Sequence, residues 1–245
     1  MEQKREPLMD QNYFDEKVAY FSSSIERFES LAHDTSKTQE HRTSLLYDVF
    51  KKRLHAVILR YSRGESVADL ASGFPPIVSA WEEYLGAQYS ERMRFETETD
   101  RLEDYVVALW LVSLAIIFKV ELGLFNRLLK CIGNEGKDLL LERLVGTRVQ
   151  GRKPATRLIF PEVYEALYAS IDNFADRDQL MKTFLKKWYG AMKPTYFYNA
   201  HKAKGGFFGY WAFETAGTVA AFSMDDSKFR DLPYYPKDLV AFSRV

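Results

Sequence analysis

The sequence contains a single cysteine, Cys131, among its 245 residues. One thiol cannot form a disulfide within the chain, and no cysteine pair is present to hold a metal ion. Cys131 lies among Leu128, Leu129 and Ile132, and the local sequence offers no base that would activate it as a nucleophile. These features indicate a buried, inert thiol in a protein of a reducing compartment.

Glycine and proline are also scarce, at 13 and 8 residues, which argues against an all-β sandwich with its many tight turns. The longest uncharged apolar run, Tyr105–Phe118, is too short to cross a bilayer, since a spanning helix needs roughly 20 residues. The N-terminal residues MEQKREPLMDQ lack the apolar core of a signal peptide. We therefore expect no membrane association and interpret the apolar run as a buried central helix.

An excess of charge is absent as well, because 34 basic residues balance 34 acidic ones. Proteins that bind nucleic acid directly usually carry a basic excess, and proteins that imitate DNA with their whole surface are strongly acidic. The composition favours neither class. Any electrostatic function must therefore reside in segregated patches of charge.

What the sequence has in quantity is helical periodicity. Apolar residues recur at spacings of three and four along residues 13–32 and 45–61, which is typical of amphipathic helices. Strand signals are nearly absent. Further helices are predicted at residues 100–118, 122–132, 137–144, 162–171 and 179–189, with a basic connection at 145–161.

Several helix ends are also predicted from the sequence. Gly64 is expected to end the second helix, and Ser66 to cap the next one with Asp69 three residues later. Asp100 is expected to begin the central helix, with Glu103 at the capping-box position.

The pattern as a whole predicts an all-α fold, a single compact multi-helix assembly of two packed helical halves with little or no sheet. A boundary between the halves is expected between residues 121 and 135. We therefore predict an N-terminal module at residues 1–125 and a C-terminal module at residues 126–245.

Patterns that carry catalysis or bind metal are missing from the sequence. The segment GNEGKD at residues 133–138 lacks the spacing and the preceding strand of a phosphate-binding loop. The carboxylates at 97–100 and 225–226 are better explained as helix caps and turns. None of the four histidines lies four residues from another or beside the cysteine; they are His33, His41, His55 and His201. We predict no catalytic residue, no cofactor and no metal.

The most distinctive stretch is GGFFGYWAFETAGTVAAFSMDDSKFRDLPYYPKDLV, at residues 205–240. Its first part is interpreted as one helix in which Glu214 lies three residues after Trp211 and four before Thr218. Small residues at 216, 217, 220 and 221 allow neighbouring helices to approach closely. Glu214 is therefore expected to be buried for a structural role, with an Arg, a Lys or a Tyr hydroxyl from another helix as its partner.

The same stretch resembles the C-terminal signature of the PoNi family, the immunity proteins paired with PoNe-type polymorphic DNase toxins of bacteria. In that family a Gly-Tyr-Trp-x-x-Glu segment precedes an Asp-Asp-Ser turn and a Tyr-Pro-x-Asp-Leu-Val ending. The matching residues here are Gly209, Tyr210, Trp211, Glu214, Asp225, Asp226, Ser227, Tyr235, Pro236, Asp238, Leu239 and Val240.

The resemblance extends beyond this signature and has one departure. YSRGES at residues 61–66 resembles the family's N-terminal module, and Trp188–Tyr189 fits the helix ahead of the signature. Phe207–Phe208 stands where the family pattern suggests a tyrosine. We expect this difference to affect packing more than function. The structural residues of the motif are Tyr210, Trp211, Glu214, Tyr235, Pro236 and Asp238.

The resemblance implies a cytoplasmic, nearly all-α protein that binds a cognate DNase toxin and neutralises it. This role protects the producing cell in competition between bacteria, as in type VI secretion. It implies no catalysis and no cofactor, with the toxin as partner and no direct contact with nucleic acid. Monomer and dimer both remain open.

A DNase acts on a polyanion, so its inhibitor can offer a complementary acidic patch beside apolar anchors. One candidate patch surrounds the start of the central helix, and a second lies in the Asp-Asp-Ser turn. A solvated helix face is the alternative explanation for any one of these acids. The candidates are Glu82, Glu83, Glu91, Glu96, Glu98, Asp100, Glu103, Asp104, Asp225 and Asp226.

Two other function classes remain open at this point. An enzyme would use Glu214 inside an aromatic cage of Tyr210, Trp211 and Tyr235, and a polar pocket with a second carboxylate or a histidine would favour it. A general helical scaffold protein would bind several partners loosely rather than one toxin tightly.

Overall fold

The computed structural model describes residues 4–95, 101–203 and 206–244. Within these ranges all regular secondary structure is helical, which confirms the all-α prediction. The α-helices are α1 (Gln11–Ala32), α2 (Gln39–Arg63), α3 (Val67–Ser72), α4 (Phe74–Gly86), α5 (Leu102–Ile117), α6 (Leu122–Ile132), α7 (Leu139–Val145), α8 (Pro161–Ala169), α9 (Arg177–Ala191), α10 (Phe213–Ala221) and α11 (Lys237–Ser243). A short 3-10 turn occupies Ala200–Lys202.

The described residues cluster into two compact units. The first takes its residues from Met1–Arg92, Leu129–Cys131 and Asn199–Gly209, and the second from Met93–Leu128, Ile132–Tyr198 and Tyr210–Val245. The predicted modules 1–125 and 126–245 are a division by sequence and stay a prediction. Within the described ranges, no helix has the length and apolarity that crossing a bilayer requires.

The first unit is organised around α1, α2 and α4. Gly64 ends α2 in the left-handed region at a φ of 110°, and the Ser66 hydroxyl accepts a hydrogen bond from the Asp69 N–H at 3.2 Å to cap α3. Both helix ends agree with the sequence prediction. Phe50 of α2 stacks on Trp81 of α4 with ring centroids 4.7 Å apart, and both rings are buried.

The second unit is built around α5, which is apolar on nearly every face and is therefore surrounded. Each of its residues is buried except Glu103. The helix begins at Leu102 after Arg101, whose side chain makes no capping bond, while the predicted cap Asp100 lies outside the described residues. The Tyr105–Phe118 run thus forms the expected buried central helix.

Helix α10 approaches α5 very closely at Gly217. A Cβ added to this glycine would lie 2.3 Å from the Ser113 Cβ and 2.7 Å from the Ser113 Cα. Only a residue without a side chain fits at this separation. Gly217, one of the small residues predicted to permit close helix approach, serves that purpose here.

Candidate functional site

Helix α10 is shorter than the sequence suggested. It begins at Phe213, so Trp211 precedes it, outside any regular secondary structure. Gly209 has a φ of 116°, which favours glycine, and the Ala212 N–H donates to the Tyr234 carbonyl at 2.9 Å instead of joining a helix. The prediction that Trp211 shares a helix with the acid of the signature was therefore wrong.

Glu214 occupies the first turn of α10 and is completely buried. The Trp188 indole N–H donates to its Oε1 at 2.6 Å, and the Trp110 indole N–H donates to its Oε2 at 3.1 Å. The Thr218 hydroxyl donates to the Glu214 carbonyl at 2.8 Å, which links the pair four residues apart as predicted. Two indoles, from α5 and α9, thus do what the sequence analysis assigned to Arg, Lys or Tyr.

Burial raises the pKa of Glu214 from its ordinary 4.5 to about 7, although hydrogen bonds from its own backbone N–H, from Trp188 and from Trp110 act in the opposite direction. The neutral and ionised forms are therefore both populated near neutral pH. The Tyr164 hydroxyl of α8 also faces this carboxyl group and lowers its pKa, as expected for a tyrosine partner, although it lies outside ordinary hydrogen-bond geometry. The protonated and the ionised form of Glu214 therefore have similar free energies at neutral pH.

A second buried acid, Asp138, lies in the same unit. Its carboxylate accepts hydrogen bonds from the Tyr105 hydroxyl at 2.8 Å and from the N–H groups of Leu141 at 2.8 Å and Ile159 at 2.9 Å. Burial raises the pKa of Asp138 in spite of these bonds. The sequence analysis missed this cap of α7, although an Asp directly before an apolar run is its usual signal.

The two acids of the Asp-Asp-Ser turn lie in different environments, one exposed and the other buried. Asp225 is exposed and accepts hydrogen bonds from the Ser227 N–H at 3.0 Å and hydroxyl at 2.8 Å. Asp226 is buried, accepts a hydrogen bond from the Tyr235 hydroxyl at 3.0 Å and pairs with the Arg244 guanidinium at 3.0 Å. We therefore leave Asp226 out of any contact surface.

The Tyr-Tyr-Pro step joins this turn to α11. Tyr234, in the left-handed region at a φ of 69°, stacks on Tyr189 with centroids 5.4 Å apart and an interplanar angle of 15°. Tyr210 meets the same Tyr189 ring edge-on at 4.8 Å. Pro236 precedes the first residue of α11, and Asp238 lies in its first turn. The signature residues thus contact one another and the helices of the second unit.

The contacts of the signature residues stabilise the packing of the second unit. Glu214 has no exposed surface, and Tyr235 of the proposed aromatic cage donates to Asp226 instead. Within the described ranges, no group of three or more His, Cys, Asp or Glu side chains is placed to hold a metal ion.

The predicted acidic patches are distributed over both units. In the first unit Glu82 is half-buried, while Glu83 and Glu91 are exposed, and Glu83 Oε1 lies 2.7 Å from His33 Nε2. In the second unit Glu103 is partly exposed and accepts a hydrogen bond from the Tyr196 N–H at 3.3 Å.

The remaining acids of the first patch are either buried or outside the described residues. Asp104 is buried, where it pairs with Arg101 at 3.4 Å. Glu96, Glu98 and Asp100 lie outside the described residues.

Comparisons with known proteins were made for the whole chain. A sequence model of the PoNe immunity protein (PoNi), N-terminal, matches residues 5–130, and one of the PoNe immunity proteins (PoNi), C-terminal, matches residues 136–239. Among solved structures the chain is similar to protein PA2201 from Pseudomonas aeruginosa, with a TM-score of 0.72 at 18% identity over 99% of this chain and 92% of that chain. Such a likeness shows the fold alone. The comparison with curated proteins gave no match.

Proposed function

Because the chain belongs to the family of PoNe immunity proteins, we propose that it binds a cognate PoNe-type DNase and neutralises it, which protects the cell that makes it. The observation that carries this proposal is the pair of family matches, which together cover residues 5–130 and 136–239. They also confirm the resemblance first noted in the signature of residues 209–240.

Neutralisation proceeds through contact between proteins, without catalysis by this chain. The acid that looked most suited to catalysis, Glu214, is sealed by Trp110 and Trp188 and supports the core of the second unit. Exposed surface is what remains to act on a partner. A nuclease that binds a polyanion presents basic surface, so exposed acids such as Glu83, Glu91 and Asp225 are suited to speed its approach.

Co-expression with the PoNe-type toxin encoded beside this chain tests the proposal. Cells that express the toxin alone should die, and cells that also express this chain should grow. A catalytically inactive toxin is the control for the burden of expression. Continued killing in the presence of soluble, folded protein would contradict the proposal.

The same pair permits a test with purified components. Digestion of plasmid DNA by the toxin should stop when this chain is added in equimolar amount. Preincubation of this chain with DNA should leave the DNA unshifted in a gel, since the proposed partner is the toxin.

A further inference from the structure

The loop between α8 and α9 exposes an aromatic ring. Phe174 is 77% exposed, a larger fraction than that of any other large apolar side chain among the described residues. Single exposed apolar side chains are common on protein surfaces. Whether this ring marks a binding site therefore depends on the residues around it.

The loop around Phe174 is fixed in place by side-chain contacts. The Arg177 guanidinium lies 4.4 Å from the Phe174 ring centroid and donates to the carbonyls of Ser170 at 2.9 Å and Ile171 at 2.8 Å. Asn173 and Asp176 exchange two hydrogen bonds of 3.1 Å. A ring held in this way loses little conformational entropy when a partner covers it.

Arg143 strengthens the same loop from α7. Its guanidinium donates to both carboxylate oxygens of Asp172, at 3.0 Å and 2.8 Å. This bidentate pair fixes the start of the loop relative to the body of the unit.

A cleft of about 600 Å³ opens beside the same loop between α8 and α9. Asp172 and Asn173, which directly precede Phe174, form part of its lining. Its apolar wall comes from Leu139, Leu158, Pro161 and Tyr168. The loop thus offers a partner two apolar features, an exposed ring and a cleft that is able to receive a side chain.

The segment that carries Phe174 and much of the cleft wall is acidic. Residues 161–178 contain five acids and one base, a net charge of −4 in a chain whose total is zero, and all five acids are exposed. The one base, Arg177, is folded over Phe174, while Arg143 of α7 is paired with Asp172. Exposed Arg157 borders the cleft residue Leu158 in sequence and reduces the local charge. The acids are Glu162, Glu165, Asp172, Asp176 and Asp178.

We infer that this Phe174 surface docks on the basic, DNA-binding face of the toxin. The surface consists of Phe174, the cleft residues Leu139, Leu158, Pro161 and Tyr168, and the acids Glu165, Asp172, Asp176 and Asp178. The inference rests on the proposed function. A central aromatic anchor supplies binding energy, and a rim of opposite charge to the partner guides the encounter.

Removing the anchor is the first arm of the test. Phe174→Ala should weaken binding to the purified PoNe-type nuclease encoded beside this chain by tenfold or more in calorimetry, mainly through faster dissociation. Because the ring is 77% exposed, the melting temperature should stay within about 2 °C of the wild type. Tyr20→Ala is the matched control, since Tyr20 is 51% exposed and also contacts a cation, Lys17. It should leave the affinity unchanged.

Reversing the rim charge is the second arm. Glu165→Lys with Asp178→Lys should slow association by about tenfold at low salt and flatten its dependence on salt concentration. Glu16→Lys with Glu26→Lys makes the same charge change on exposed positions of α1 and should have a smaller effect. A 20-base-pair DNA duplex should compete with the wild-type chain for the nuclease.

The possible outcomes distinguish a failure of the proposed function from a failure of the docking inference alone. If the wild-type chain does not bind the nuclease, the proposed function fails and this inference fails with it. If it binds but tolerates both Phe174→Ala and the rim reversal within twofold, only the inference fails. If Phe174→Ala weakens binding but DNA does not compete, the docking on the DNA-binding face is overturned.

Discussion

At the scale of single residues, Glu214 shows how a buried acid is tolerated without a cation. Two indole N–H groups satisfy both carboxylate oxygens, and the pKa rises to about 7 because burial outweighs them. Neutral donors stabilise the ionised form less than an arginine would. The side chain can therefore stay buried in its protonated form at little electrostatic cost.

The raised pKa predicts a specific dependence of stability on pH. The folded state holds the Glu214 proton more tightly than the unfolded state, so the stabilisation is complete below the ordinary pKa of 4.5 and is lost as the pH rises towards 7. The shift corresponds to a contribution on the order of 3 kcal/mol. Urea unfolding at several pH values between 4.5 and 7.5 should show wild-type stability falling across this range.

Glu214→Gln serves as the comparison because it cannot ionise. The difference in unfolding free energy between the wild type and this variant should shrink as the pH rises through the same window. Glu165→Gln, at an exposed acid, should leave the wild-type slope intact. Parallel pH profiles for the wild type and Glu214→Gln would contradict the raised pKa.

At the scale of the elements, the contact between α5 and α10 depends on the absence of one side chain. Gly217→Ala places a Cβ 2.7 Å from the Ser113 Cα, which is backbone and cannot rotate away. The helices must move apart, and overpacking of this kind typically costs about 1–3 kcal/mol. Thermal or urea unfolding of Gly217→Ala should reveal this loss, with faster exchange of the α10 amides.

A glycine in open space provides the matched control. A Cβ on Gly190, near the end of α9, would meet nothing within 4 Å, so Gly190→Ala should stabilise the protein by about 0.5–1 kcal/mol. Adding Ser113→Gly to Gly217→Ala should recover part of the lost stability. If Gly217→Ala is as stable as the wild type, the close approach of these helices is disproved.

At the scale of the whole molecule, the net charge is zero although acidic and basic residues are concentrated in different segments of the chain. The acids around the Phe174 loop are balanced by bases elsewhere in the chain, and association rates respond to the summed field of such groups. Charges outside a contact surface can therefore change the on-rate while leaving the off-rate alone.

Reversing Glu96, Glu98 and Asp100 together should slow association with the toxin and flatten its salt dependence. The dissociation rate should stay the same unless these residues touch the partner. The association rate can be measured by stopped flow at several salt concentrations. Phe174→Ala is the contrasting variant, because it is expected to change the dissociation rate. Unchanged on-rates would exclude these three acids from steering.

The amino-acid sequence by itself determined the helical class, several helix ends and the family. The periodicity of residues 13–32, the left-handed stop at Gly64 and the all-apolar run within α5 each depend on local chemistry, so neighbouring residues suffice to predict them. The signature of residues 209–240 identified the family because it is a local pattern as well.

Tertiary structure alone decided which side chains meet. Trp110, Trp188 and Glu214 are separated by many residues, and nothing in the spacing predicts that two indoles converge on one carboxyl group. Likewise, Asp225 and Asp226 are neighbours in sequence, yet packing buries one and exposes the other. Burial and partnership depend on distant chain segments brought together by folding, and those contacts set the pKa of Glu214 and left Phe174 in solvent.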